Sequence, residues 1–185
     1  MSIIQFTFPK KMKFKQLLFS TLLTVSLFTI LSCNENDDPQ SIGKVELYEI
    51  EQFETINNTD QIDESTVITK KAPLLYYEDL LSYNSKEFKF ILSGHAQQIL
   101  EGHPIKTGAF AIKANGELIY TGYFVPGYSS RLWFWNVIDP LMASFNGACY
   151  VRRITLLGGN QPSYDDKRND PRILEIFRRD HKLIE

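Results

Sequence analysis

Gly108-Ala109-Phe110-Ala111-Ile112-Lys113-Ala114-Asn115-Gly116-Glu117-Leu118-Ile119-Tyr120-Thr121-Gly122-Tyr123-Phe124 is the stretch that speaks most clearly about the fold. Two apolar-rich runs flank Asn115-Gly116, and Asn-Gly supplies positive φ at both central positions, as a type I′ hairpin turn demands. The turn predicts antiparallel strands over residues 108–114 and 117–125, with Ala114 opposite Glu117, Ile112 opposite Ile119 and Ala111 opposite Tyr120. Alternation then places Phe110, Ile112, Ile119, Thr121 and Tyr123 on one face. Ala109, Ala111, Leu118, Tyr120, Gly122 and Phe124 fall on the other. Both faces are largely apolar, so the hairpin is expected to sit centrally and be covered on both sides. The small residues Ala109, Ala111 and Gly122 leave room for a crossing helix or for neighbouring rings.

Downstream of the hairpin, residues 131–138 (RLWFWNVI) and 149–157 (CYVRRITLL) read as two further strands. A short helical turn is expected at residues 141–145, with Asn146-Gly147 turning the chain between the strands. Residues 158–169 form a polar loop. Asp170-Pro171 then opens a last helix, with Asp as N-cap and Pro at the first helical position. Its apolar stripe is read as Ile173, Ile176, Phe177 and Ile184, and Arg178, Arg179 and Lys182 suit the negative end of the helix dipole.

Upstream, residues 44–53 (KVELYEIEQF) read as a strand, 54–64 as a polar loop and 65–69 as a short β-branched strand. In residues 72–82, Leu74, Leu75, Tyr76, Tyr77, Leu80 and Leu81 fit one helical face after Pro73. Residues 86–92 alternate Phe88, Phe90 and Leu92 against Glu87, Lys89 and Ile91, a half-buried strand. Ser93 caps a short helix running to Glu101, ended by Gly102 and Pro104. These elements predict a single α+β domain over residues 44–185: a mainly antiparallel sheet of about five strands, a central short helix and a C-terminal helix.

The N-terminus has a different character. Lys10, Lys11, Lys13 and Lys15 precede a run of about 15 apolar or small hydroxyl residues from Leu17 to Leu31, with no acid before Glu35. That run falls short of the roughly 20 residues a membrane-spanning helix needs, so it reads as an export signal. Met12 offers a more usual start than Met1. The exit, Ile30-Leu31-Ser32-Cys33, resembles the bacterial lipobox, with Ile30 where leucine is commoner. The resemblance implies cleavage between Ser32 and Cys33, a diacylglycerol thioether on Cys33 (with palmitate-type acyl chains) and a bilayer as partner. At about 0.8 kcal/mol per buried CH₂, two or three acyl chains hold a protein firmly. Residues 1–32 are then the signal peptide and 33–43 an acidic tether, beginning Asn34-Glu35-Asn36-Asp37-Asp38-Pro39. Because Asn34, not Asp, follows the cysteine, outer-membrane sorting is expected. The acidic cluster suits either exposure at the cell surface or a plain solvated linker.

Without the leader, the 20 bases and 22 acids become 16 and 22, a net of −6. No nucleic-acid partner is expected from such a balance. Cys149 is the only cysteine left, so no disulfide can form within the mature chain. Gly147-Ala148-Cys149-Tyr150-Val151-Arg152 resembles in part the cysteine stretch of the L,D-transpeptidases, with the spacing displaced by one residue at two places and the preceding His-Gly missing. A Cys149 nucleophile would imply an envelope enzyme, yet nothing brings His95, His103 or His181 to it. These histidines lack metal-ligand spacing, and Asp165, Asp166 and Asp170 lack the alternation of a calcium loop. Neither cofactor nor metal is expected.

The aromatic tract from Tyr120 to Trp135 offers the remaining chemistry. Strand alternation separates Trp133 and Trp135 from Phe134: one set is core, and the other is either core as well, the default for rings in strands, or an exposed platform with Arg131 at its edge and Tyr128 in the loop. Tyr128, Arg131, Trp133 and Trp135 are therefore the candidate ligand-binding residues for a glycan or a peptide. The functional expectation is a non-enzymatic, envelope-anchored binding module. Alternatives are the Cys149 enzyme and an inhibitor or immunity-type lipoprotein that binds a protein.

Overall fold

The computed structural model describes residues 43–102, 108–154 and 165–185, which belong to one compact unit, Ser41–Glu185. The stretch read as an export signal, Ser32, Cys33, most of the stretch read as a tether, His103, Pro104 and residues 155–157 lie outside the described residues. The fold is α+β. In chain order its elements are β1 (Val45–Gln52), β2 (Ile68–Thr69), β3 (Leu80–Asn84), β4 (Lys89–Leu92), α1 (Gly94–Gly102), β5 (Ala109–Ala114) and β6 (Glu117–Phe124). There follow β7 (Asn136–Ile138), α2 (Pro140–Asn146), β8 (Ala148–Tyr150), β9 (Arg152–Arg153), α3 (Pro171–Arg179) and β10 (Leu183–Ile184).

The strands form two sheets where sequence alone suggests one of about five. A six-stranded sheet runs β2-β1-β5-β6-β7-β9 and a four-stranded sheet runs β10-β3-β4-β8. Most pairs are antiparallel, but β6 pairs with β7, and β10 with β3, in parallel. The β5–β6 hairpin is central, as its two apolar faces require. Asn115 and Gly116 both take positive φ, 55° and 78°, at its turn.

Its register departs from simple alternation. Ala114 does face Glu117, but a bulge follows: Lys113 pairs with Leu118, and Ile112 then pairs with Tyr120, not Ile119. One extra residue on β6 reverses which side every later side chain faces. Tyr120, Gly122 and Phe124 therefore share the face of Phe110 and Ile112, while Thr121 and Tyr123 join Ala109 and Ala111. Gly122 makes room for a ring, since a Cβ there would lie 2.4 Å from the Phe110 Cζ.

Those two faces serve two cores. Phe110, Ile112, Tyr120 and Phe124 pack with Tyr83 and Phe90 of the four-stranded sheet, with Ala96 and Leu100 of α1, and with Ile173, Ile176 and Phe177 of α3. The Phe177 ring sits 5.5, 5.6 and 5.8 Å from those of Tyr77, Tyr83 and Phe90. The opposite face carries a smaller cluster of Ala109, Tyr123, Val137, Ile62, Trp133 and Trp135.

Helix ends follow the local signals. Ser93 Oγ accepts from the Ala96 N–H at 3.0 Å, Asp139 caps α2 through the Met142 N–H at 3.1 Å, and Asp170 caps α3 through the Arg172 N–H at 3.0 Å. Gly147 closes α2 in the left-handed conformation, φ 63°.

Five expectations are corrected. Residues 72–82 contain only a 3₁₀ turn, Tyr77–Asp79, before β3, because Leu74 and Leu75 hydrogen-bond to Leu47 and bind the segment to the sheet as extended chain. The span 131–138 is strand only over β7, its first half being a loop tied elsewhere. The span from Cys149 onward divides, with β8 in one sheet and β9 in the other. Ile184 is not on the α3 stripe, since the helix stops at Arg179 and Ile184 lies 45% exposed in β10. Residues 65–69 likewise form a strand only at Ile68–Thr69, after a 3₁₀ turn at Glu64–Thr66.

Candidate functional site

The smaller core is where the chain leaves an opening. Ile50, Ala109, Tyr123 and Val137 form one row across β1, β5, β6 and β7. Two loops fold over that row, residues 53–63 from one side and 131–135 from the other. The first turns back on itself through a bridge between Thr55 and Ile62, with Asn57 and Asn58 both at positive φ, 49° and 58°. Asparagine tolerates this conformation better than most residues.

Asp60 clasps the two loops together. Its Oδ1 accepts from Arg131 Nη2 at 2.7 Å and its Oδ2 accepts from the Phe134 N–H at 2.9 Å. This fixes the Arg131 guanidinium over the Trp133 ring, 3.8 Å from its centroid. Such stacking stabilises a cation by about 0.5–1 kcal/mol where water still reaches it. Trp133 in turn lies against Tyr123, centroids 4.4 Å apart, and Phe53 meets Tyr123 edge-on at 5.9 Å. Burial pushes the Tyr123 phenol up to about 12, so it stays a neutral donor.

Between the loops is a cleft of about 370 Å³, lined by Phe53, Thr55, Asn58, Thr59, Asp60, Gly108, Ala109, Tyr123, Arg131 and Trp133. A second cleft of about 390 Å³ lies on the other side of the first loop, lined by Ile56, Gln61, Ile62, Asp63, Glu64, Trp135, Asp165 and Lys167. There Lys167 pairs with Glu64 at 2.8 Å. Arg153 lies 5.2 Å from the Trp135 ring centroid, and Trp135 Nε1 donates to Thr121 Oγ1 at 3.1 Å.

Of the four residues read as a ligand surface, Arg131 and Trp133 share the first cleft and Trp135 borders the second. Tyr128 lies in a turn between β6 and β7, 71% exposed and lining neither cleft. Of the two readings of the aromatic tract, core holds for both tryptophans and the exposed platform does not. Trp133 and Trp135 are 9% and 5% exposed, because the segment is a loop pressed onto the sheet and strand alternation does not apply. What the tryptophans offer is edges at clefts. Asp60, Phe53 and Tyr123 escaped notice in the sequence. Asp60 stands in a polar loop 71 positions from Arg131, and only a buried carboxylate's need for donors would have marked it.

Elsewhere, polar residues named in the sequence do structural work. Cys149 faces the main core at 1% exposure, and burial pushes its thiol up to about 12, so no thiolate forms at neutral pH. His95 Nδ1 lies 2.9 Å from Asp79 Oδ1, which also accepts from Ser93 Oγ at 2.8 Å. Asp166 and Asp170 accept from the Arg168 and Arg172 N–H groups, holding the chain into α3. Among the described residues no three His, Cys, Asp or Glu side chains gather as a metal site, and no helix is long and apolar enough to cross a membrane. Comparison with family models, curated proteins and solved structures found no match for this chain.

Proposed function

We propose that this chain is a lipid-anchored binding protein of the bacterial envelope that takes a saccharide in the cleft beneath Arg131. The leader, Ser32 and Cys33 support the anchor, and Asn34 after the cysteine supports an outer-membrane address. The cleft supports the ligand class. Sugars present an apolar C–H face and a rim of hydroxyl groups, and ligand sites of this size combine ring walls with a few fixed polar groups. Phe53, Tyr123 and Trp133 supply the rings, and Thr55, Asn58 and Arg131 the polar groups. The observation that carries the reading is the Asp60 clasp, which holds Arg131 and Trp133 ready at the cleft mouth. Pre-formed groups of this kind spare a ligand the cost of ordering them.

A saccharide and peptide array probed with the full chain in detergent micelles tests the reading. Saccharide binding that Arg131→Ala weakens supports it. Binding of peptides alone, or of nothing, overturns it.

A second reading has its own observation. Tyr128 and Leu132 are 71% and 65% exposed beside Arg131, and tyrosine and arginine are common anchors of protein interfaces. An inhibitor or immunity-type lipoprotein would use this rim and would co-purify with one protein at fixed stoichiometry.

A further inference from the structure

The hydrogen-bonding groups of the first cleft are out of balance, and the imbalance points to a ligand chemistry. A guanidinium carries five N–H donors. Among the described residues the only hydrogen bond from Arg131 is the one from Nη2 to Asp60. Its side chain is 61% exposed, so the remaining donors are open to whatever enters. Trp133, which lines the same cleft and is nine-tenths buried, has an indole N–H with no acceptor and no access to solvent, so Arg131 carries the donors a ligand can reach directly. Leaving such a group unpaired costs on the order of 1–3 kcal/mol.

Neutral acceptors are present on Thr55, Asn58 and Thr59, but anionic ones are scarce. Among the described residues Asp60 is the only carboxylate on the lining, and both of its oxygens are already engaged. Its charge offsets that of Arg131 without consuming the guanidinium's other donors. A neutral sugar hydroxyl brings one donor with its two lone pairs and carries no charge to match the guanidinium. A carboxylate brings acceptors only and can engage a guanidinium through two parallel bonds.

Resting on the saccharide reading above, we infer that the ligand is an acidic sugar, a hexuronate, whose carboxylate is received by Arg131 while its ring lies against Phe53 and the exposed edge of Trp133. Asp60 is then a tuning group as well as a clasp, since it competes with the ligand for Arg131.

Calorimetry of the full chain in detergent micelles tests this with D-glucuronic, D-galacturonic and D-mannuronic acids, their methyl esters and the parent hexoses. At least one acid should bind about ten-fold more tightly than its own ester and hexose, as a charge-assisted pair implies. Arg131→Gln should bring that ratio to near one. Asp60→Asn keeps an oxygen for the Phe134 N–H, removes the competing charge and should raise the ratio. Raising the salt should lower it. Equal binding of acid and ester overturns the inference while leaving the saccharide reading in place. An acid preference that survives Arg131→Gln also overturns it. Failure of every sugar to bind overturns both. Near-UV circular dichroism checks that each variant is folded, and if Asp60→Asn is not, the ratios of the unaltered chain and Arg131→Gln decide.

Discussion

Gly122→Ala provides the sharpest test of how the hairpin is packed. Its φ lies outside the left-handed region, so alanine meets no backbone obstacle and the cost is steric. The new methyl would lie 2.4 and 2.5 Å from Phe110 Cζ and Cε1 and 2.5 Å from the Asn136 carbonyl oxygen. Neither neighbour gives way easily. Phe110 is fully buried, its ring centroid 5.4 Å from that of Phe124 and 6.4 Å from that of Tyr120. Asn136 is backbone of β7, pinned by its Nδ2 donating to the Thr121 carbonyl at 2.8 Å and its Oδ1 accepting from Arg153 at 3.0 Å. Overpacking of this kind costs about 1–3 kcal/mol, and with two obstructed neighbours the upper end applies. For a domain of this size a loss of about 3 kcal/mol lowers Tm by roughly 6–12 °C. Gly94→Ala is the control. It meets nothing within 4 Å in the first turn of α1, so it should change stability by less than about 1 kcal/mol, in the stabilising direction. Thermal melts followed by circular dichroism decide. A Gly122→Ala protein melting within about 2 °C of the unaltered chain, or a Gly94→Ala protein losing as much, would refute the register.

Three other outcomes follow from the same physics. Burial alone would raise the Asp79 carboxyl, but hydrogen bonds from His95, Ser93 and the Tyr76 N–H outweigh it and hold Asp79 below the usual range. Its stabilisation is therefore present above the unfolded carboxyl pKa of about 3.9 and lost as pH falls through the lower folded value. Asp79→Asn should destabilise the protein at pH 7, and urea titrations should show the gap from the unaltered chain closing below about pH 4. Cys149 should resist thiol reagents in the folded protein and react fully in denaturant; rapid labelling under native conditions would contradict its burial. Cells fed labelled palmitate should label the chain and not Cys33→Ser, and mass spectrometry should place the mature terminus at Cys33; an unmodified sulfur would remove the anchor.

Local chemistry was legible wherever one residue type answers one backbone need. Asn115-Gly116, the Ser93 cap and Asp170-Pro171 all form as their identities require. The bulge at β6 was not legible, because both hairpin faces read as apolar and a one-residue slip leaves apolar side chains on either side, while the contact of Phe110 with Gly122 comes into view only in the fold. Residues 72–82 misled for a related reason. Their apolar spacing suits a helix, but a backbone ladder to Leu47 overrides local preference. At the site, Arg131 and Trp133 stood out by type, whereas Asp60, Phe53 and Tyr123 acquire their roles only when the loops meet across the sheet.

The chain has two tryptophans, so its indole N–H spectrum should hold two signals, one from Trp135 bonded to Thr121 and one from Trp133 without an acceptor. Trp133→Phe assigns them. Titrating the full chain with the tightest-binding saccharide while recording these signals tests most directly whether the cleft beneath Arg131 is where ligand sits. The account predicts that the Trp133 signal shifts and saturates with the ligand while that of Trp135 barely changes. Saturable binding that leaves the Trp133 signal in place would contradict it.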